Sequence, residues 1–254
     1  MQRKVLFGVI GVLAVFAIGA TVLYLLASRT SSVSADTALV KFRATAGEDR
    51  GEQPGLPPQG VYRYSVEGSE SISGGPLSVT RDLPSTSPRI LRHTGDGYET
   101  EWHISSDHTE YWRYVLDERG ASTAAERSEL TVAGISGTTE NEWTPPPLRL
   151  PLDPETGDRW TGEATTRDGQ SVRIESVVAG DETIDVGSTP VTVTNVESTL
   201  EFRGDLEGVI RETNSYDAST GMEIRHVSES ELTESGSTVT TRWDATLQSL
   251  EPAV

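Results

Sequence analysis

Hydrophobic and polar positions follow two patterns along this chain: an unbroken apolar run near its start, and an alternation of period two after it. The run Val5–Ala27 has 23 consecutive residues without a charged side chain. As a helix it spans about 35 Å, more than the hydrocarbon core of a bilayer at about 30 Å. Arg3 and Lys4 precede it and the first acid is Asp36, which keeps residues 1–4 in the cytoplasm. The pattern predicts a transmembrane helix over 5–27.

The apolar run exceeds the stretch of about 7–15 residues that is typical of a secretory signal, which favours a retained anchor. Val33-Ser34-Ala35 has the small residues that a signal peptidase recognises, so cleavage after Ala35, giving a secreted protein, stays the alternative. In both cases the rest of the chain is exported. We expect a single-pass inner or plasma membrane protein whose C-terminal domain is extracytoplasmic.

Residues 28–58 mix charges, Gly and Pro without an apolar period, and such composition predicts a flexible linker. From residue 59 to 254 we expect one extracytoplasmic β domain. Its alternation is clearest in segments 62–66, 98–104 and 239–247, where apolar and polar residues take turns. One apolar and one polar face are typical of antiparallel strands with a single buried side.

The apolar positions change phase within residues 191–202, which indicates a β-bulge near Thr194–Asn195 and therefore a bent strand. Asp153–Gly157 and Asp217–Gly221 share the pattern Asp-x-x-Thr-Gly, which predicts turns that close on a left-handed glycine. No stretch after residue 28 shows a helical apolar period. The predicted fold is all-β: a curved antiparallel sheet, as a half-barrel or open barrel-like meander, after one N-terminal transmembrane helix.

Charge and cysteine content narrow the possible partners. Two of the 21 basic residues precede the apolar run and none of the 39 acids does, so the exported part has a net charge of −20. Such a surface repels nucleic acid and anionic lipid headgroups, so we expect neither as a partner bound by charge. The chain has no cysteine, which excludes disulfides, thiol catalysis and a thiol-linked lipid anchor.

Candidate chemistry is sparse. His93, His103 and His108 are weak candidates for a zinc site because imidazole is a common zinc ligand, but their spacing matches no zinc motif. A polar strand face in water explains them as well. The sequence contains no nucleophile elbow, and Lys41 is the only lysine after the run. We predict no catalytic residue, no bound metal and no cofactor.

Aromatic residues offer the candidates for a ligand groove, although packing in the core accounts for such residues too. The candidates are Tyr111, Trp112, Tyr114, Trp143 and Trp160. His226 alternates with Met222 and Ile224, so we expect it to be a partly buried, hydrogen-bonded histidine rather than a catalytic base.

Three motifs carry a resemblance to known proteins. The segments 60–68 (GVYRYSVEG), 148–160 (LRLPLDPETGDRW) and 216–225 (YDASTGMEIR) resemble strands and turns of uncharacterised exported, membrane-anchored bacterial β-proteins. That group is distantly similar to envelope lipoprotein carriers with curved half-barrel sheets. The resemblance implies a concave face that can hold an acyl chain, while the lipid-anchoring cysteine and a lid helix of those carriers are missing here.

These observations predict a membrane-anchored, non-enzymatic binding or interaction module of the bacterial cell envelope. A lipid or apolar ligand in the concavity is its more specific form, and this form requires a cavity of several hundred Å³. An envelope protein is the other possible partner. The alternative function is a divergent hydrolase that depends on carboxylates or a metal. The sequence leaves the oligomeric state open.

Overall fold

One antiparallel sheet contains all fourteen described strands. The computed structural model describes residues 30–45, 56–74, 77–132 and 135–254. One helix, α1 (Ala35–Thr45), comes before the strands in this part of the chain. The strands are β1 (Gly60–Gly74), β2 (Leu77–Asp82), β3 (Thr86–His93), β4 (Gly97–Ser105), β5 (His108–Asp117), β6 (Gly120–Val132), β7 (Ile135–Glu142), β8 (Leu148–Pro151), β9 (Arg159–Thr165), β10 (Ser171–Val186), β11 (Thr189–Arg203), β12 (Leu206–Asp217), β13 (Glu223–Glu234) and β14 (Ser237–Leu247). The predicted all-β, antiparallel class is confirmed.

The strand order joins two meanders. Strands β3 to β7 form the first and β9 to β14 the second, and β1 pairs with both β3 and β14. Beyond β7, Thr144 forms an antiparallel bridge with Thr165 of β9, in which each amide donates to the other's carbonyl at 2.9 and 3.1 Å. The bridge brings the two ends of the sheet together. The result is a nearly closed, barrel-like sheet rather than a half-barrel.

The prediction of a flexible linker is wrong for residues 35–45, which form α1. Ser34 caps this helix, because its Oγ accepts the amide of Thr37 at 3.0 Å. Ala38 and Phe42, one turn apart, are the buried residues of α1, and they pack with Ile90 on the outer face of the sheet. Two buried residues in eleven give too weak an apolar period to reveal the helix from sequence.

The folded unit also begins earlier than residue 59. The Thr30 hydroxyl donates to the carbonyl of Asp82 at 2.5 Å, and the Ser106 amide donates to the carbonyl of Ser31 at 2.8 Å. After α1, the carbonyl of Pro57 accepts a hydrogen bond from His93 at 2.8 Å. Of the predicted linker, residues 28–29 and 46–55 lie outside the described residues.

The two predicted turns are confirmed, whereas the predicted bulge lies in a different strand. Gly157 and Gly221 adopt φ of +94° and +68°, which confirms both left-handed turn positions. The bulge lies in β10 between Val178 and Gly180, opposite Asn195, and not in β11 as predicted. An extra residue in either strand of a pair shifts the register of both strands. The phase change in the sequence of β11 therefore indicated a bulge in this pair but did not show which of the two strands contains the extra residue.

The inner face of the barrel-like sheet holds two apolar clusters. The larger joins both meanders through residues such as Tyr64, Trp102, Val193, Trp243 and Leu247. The smaller contains Trp143, Ala164, Val172, Ile174, Leu200 and Phe202. No helix in the described part of the chain is long and apolar enough to cross a membrane. The predicted span 5–27 lies outside the described residues.

Candidate functional site

Five charged or titratable side chains form a connected network on the inner face, which we call the inner charge network. Arg89 of β3 pairs with Glu223 of β13, and Arg149 of β8 pairs with Glu212 of β12. His226 joins the two pairs: its Nδ1 donates to Glu223 Oε1 at 2.9 Å, and its Nε2 lies 3.9 Å from Glu212 Oε2. The network therefore links strands of both meanders across the interior.

An irregularity at the start of β13 brings Glu223 into this network. The pairing of β12 with β13 shifts by one residue, so that Tyr216 pairs with Glu223 and Ser215 with Arg225. Strict alternation would send Glu223 and His226, three positions apart, to opposite faces. The extra residue, Ile224, allows both side chains to meet inside the barrel.

Aromatic rings surround the Arg89 guanidinium. Its Cζ lies 5.9, 5.3 and 5.5 Å from the ring centroids of Tyr64, Trp102 and Trp112. These distances suit cation–π contacts, which strengthen when the cation is removed from water. Arg89 is only 5% exposed, so its charge depends on the rings and on Glu223 in place of solvent.

Electrostatics keep the Arg89–Glu223 pair ionised. Burial by itself would raise the pKa of Glu223, but Arg89 and His226 hold that pKa well below its usual range. Burial would likewise lower the pKa of Arg89, and Glu223 raises it instead. Glu126 differs, since burial raises the pKa of its carboxyl to about 7, although the Asn141 amide donates to it at 3.1 Å.

A second inner cluster surrounds His108. Its Nδ1 donates to Glu70 Oε2 at 2.9 Å and its Nε2 to Glu110 Oε1 at 2.7 Å. Arg81 completes the cluster with an Nε hydrogen bond of 2.5 Å to Glu70. Burial lowers the pKa of His108, but the two carboxylates outweigh burial and raise it to about 9. The imidazolium is consequently held charged between two acids.

The space left inside the barrel beside the inner charge network is small. A cavity of about 20 Å³ lies there, walled by Arg89, Tyr98, Tyr114, Tyr216 and Glu223 among others. This volume is enough for about one water molecule. The expected apolar cavity of several hundred Å³ is therefore wrong for this part of the interior, because aromatic and charged side chains occupy it.

The five aromatic candidates do not share one groove. Trp112 and Tyr114 point inward, where Tyr114 stacks on Tyr98 at 4.8 Å and Trp112 contacts Arg89. Trp143 packs on Phe202 in the smaller apolar cluster, and Trp160 donates to the Leu148 carbonyl at 3.0 Å. Tyr111 lies on the other face of β5, because neighbouring residues of a strand point to opposite sides.

Tyr111 belongs to a groove on the outer face, beside α1, which we call the outer groove. Its volume is about 390 Å³, and its walls include Lys41, Arg92, Glu101, Tyr111 and Arg127. Arg127 stacks 3.9 Å above the Tyr111 ring, and Lys41 lies 5.7 Å from it. The volume falls within the range of about 300–1,000 Å³ for sites that bind small molecules.

The three candidate zinc ligands lie apart. His93 bonds to the Pro57 carbonyl, His103 lies on the outer face 2.8 Å from Glu101, and His108 is enclosed by its two acids. Within the described ranges, no three His, Asp or Glu side chains are grouped as metal ligands. His226 is buried and hydrogen-bonded to Glu223, as predicted.

No protein-family model matches the chain, and no curated protein does. Among solved structures it is similar to the hypothetical lipoprotein YmcC from Escherichia coli K12. The two chains are 15% identical with a TM-score of 0.35, and the similarity covers 84% of this chain and 97% of that chain. The resemblance to envelope lipoprotein carriers thus stays a prediction from the sequence motifs.

Proposed function

We propose that this protein is a membrane-anchored, extracytoplasmic interaction module that works through its surface and not through a stored ligand or a chemical reaction. The occupied interior beside the inner charge network is the observation that carries this proposal. The cavity at the inner charge network holds about 20 Å³, whereas a small-molecule site needs about 300 Å³ or more. An acyl chain has no room there without displacing buried aromatic rings.

The pairing of the inner titratable groups supports a non-enzymatic role. A general base or nucleophile must reach a substrate atom at hydrogen-bond distance. His226 and His108 instead direct ring nitrogens at carboxylates of their own chain. Glu223 and Glu212 are each bound by an arginine. These partners occupy the positions that a substrate would need.

Contacts at the start of the folded unit support a retained anchor. Cleavage after Ala35 would remove Ser34, which caps α1, together with Thr30 and Ser31, which bond to the sheet. A cap of this kind contributes about 1 kcal/mol to helix stability. These contacts favour a protein that is not cleaved after Ala35, and the proposal keeps the apolar run 5–27 as its anchor.

The outer groove is our candidate surface for a partner on this proposal. It combines an aromatic ring, Tyr111, with the cations Lys41 and Arg127 beside it. Arginine and tyrosine are enriched among residues that dominate binding energy at interfaces. Because the groove is open and already formed, a partner can dock there without opening the sheet.

The full chain expressed in a bacterial host tests the proposal in two steps. The natural chain has no cysteine, so a single Glu118→Cys variant reports the location of the domain. A membrane-impermeant maleimide should label it in intact spheroplasts as completely as in lysed ones. Labelling only after lysis would place the domain in the cytoplasm and refute the location.

Native mass spectrometry of the same full chain, released from detergent with stepwise activation, tests the occupied interior. After weakly held lipids leave, the mass should equal that of the polypeptide. A stoichiometric apolar adduct that persists to unfolding would refute the proposal and restore the carrier hypothesis. Trp102→Ala is the control, since removing this buried ring opens space in the interior.

A further inference from the structure

We infer that the end of the sheet carrying the β4–β5 turn stands directly on the bilayer surface, and that the opposite end faces away from the membrane. This inference rests on the proposed function, because it requires the run 5–27 to be an anchor. We call the first end, which includes Asp82 and residues 105–107, the proximal end; on this side the β1–β2 hairpin continues past Asp82 to the pair of Gly74 with Leu77. The distal end consists of the β5–β6 turn and the loop after β8.

The first described residues tie the chain to the proximal end. The Thr30 hydroxyl donates to the Asp82 carbonyl at 2.5 Å. The Ser31 carbonyl accepts the Ser106 amide at 2.8 Å, and the two serine hydroxyls bond at 2.8 Å. Backbone and side-chain contacts therefore fix the point where the chain enters the domain.

Chain geometry limits how far this entry point lies from the bilayer. The predicted span ends at Ala27, three residues before Thr30. Three residues reach at most about 11 Å when fully extended. A flexible linker over residues 28–58 would have allowed the domain to move away from the bilayer. Instead, Thr30 and Ser31 already contact the sheet, so no more than a few residues separate the predicted span from the domain.

Strand β5 gives the separation of the two ends. It runs from His108, beside the proximal turn, to Asp117 at the distal end. Ten residues at about 3.3 Å each span about 33 Å. At the tilt of about 40° that is usual for barrels, the ends are about 25 Å apart along the barrel axis.

Surface character agrees with a proximal end that touches the headgroups without inserting. The four large apolar residues that are exposed in the described part of the chain are Val40, Leu116, Leu152 and Val254. None of them lies at Asp82 or in residues 105–107, where the exposed residues are Asp82 and Ser106. Leu116 and Leu152 lie at the distal end, where a partner must approach from the extracytoplasmic side.

Two charge-matched variants of the full chain test this orientation. Asp82→Cys places a thiol at the proximal end and Glu118→Cys places one in the distal turn, and both residues are exposed acids. Each variant is labelled with a donor dye and reconstituted into phosphatidylcholine liposomes. The liposomes contain a lipid whose headgroup carries an acceptor dye, chosen so that energy transfer is efficient only over a short donor–acceptor distance. We expect energy transfer several-fold higher from the Asp82 position than from the Glu118 position.

The outcomes separate the inference from the proposed function. If the protein does not float with the liposomes, the proposed anchor is wrong. If it floats but both positions transfer equally, or the Glu118 position transfers more, the anchor stands and the orientation is overturned. A flexible Gly/Ser insert of about twelve residues between Ser28 and Arg29 adds about 20 Å of reach. It should lower transfer from the Asp82 position several-fold, and unchanged transfer would show that the short connection does not hold the domain.

Discussion

Removing one charge from the inner charge network should destabilise the protein far more than removing a similar charge at the surface. In Glu223→Gln the side chain keeps its size and can still accept a hydrogen bond from His226. The carboxylate that balances Arg89 is lost, and Arg89 is 5% exposed. A buried ion left without its partner costs about 3–5 kcal/mol. We expect a loss of that size in the free energy of unfolding.

Asp244→Asn is the matched control, because it makes the same acid-to-amide change in another arginine pair. Arg225 Nε lies 2.9 Å from Asp244 Oδ1, and the two side chains are 38% and 39% exposed. Pairs exposed to this degree contribute about 0–1 kcal/mol. Both variants can be unfolded in urea as full chains in detergent, with tryptophan fluorescence as the probe since Trp102 contacts Arg89.

A double variant separates the pair from its surroundings. Arg89→Met with Glu223→Leu replaces the ion pair by apolar side chains, a change that is often neutral or stabilising for buried pairs. We expect it to recover most of the loss seen in Glu223→Gln. If Glu223→Gln falls within about 1 kcal/mol of Asp244→Asn, then Arg89 reaches water or another acid, and the reasoning on the buried network is wrong.

Three further predictions concern other parts of the fold. The pKa of His108 rises from 6.5 to about 9 on folding. The stability that this histidine contributes is therefore fully present below pH 6.5 and is lost as the pH rises through 9. Urea midpoints measured across that pH range should show this loss in the natural protein and not in His108→Gln. Ser34→Ala should cost about 1 kcal/mol in helix stability and speed amide exchange in α1 but not in β14; equal protection of α1 in both proteins would contradict the capping role. Trp102→Ala removes a ring that is 1% exposed and should lower the free energy of unfolding by about 3–5 kcal/mol, whereas a value below about 1 kcal/mol would show that the neighbouring rings close the space.

Alternation of apolar and polar residues was sufficient to predict the fold class but not the closure of the sheet. Segments 62–66, 98–104 and 239–247 lie in β1, β4 and β14, since one-sided burial imposes period two on the sequence. Closure depends on the bridge between Thr144 and Thr165. Backbone atoms form the hydrogen bonds of this bridge, so the pattern of apolar and polar side chains does not predict it.

The candidate site was harder to predict because its residues violate the pattern that reveals strands. Arg89, Arg149 and Glu212 occupy inward positions where alternation predicts apolar residues. A charged residue at such a position could have served as a signal, but only with knowledge of its partner across the barrel. Glu223 gave no signal at all, because the irregularity beside Ile224 reverses the face that alternation assigns to it.

The position of the inner charge network favours a role in specifying the fold. Arg89 belongs to the first meander and Glu223 to the second, so their pairing depends on how the two meanders meet. A slip of one residue in the register would send one partner outside and leave the other buried and unpaired. A chain without cysteine has no disulfide to exclude that error. The pairing inside the sheet therefore favours one arrangement of the strands, which leaves the surface, including the outer groove and the distal end, for the partner that we propose.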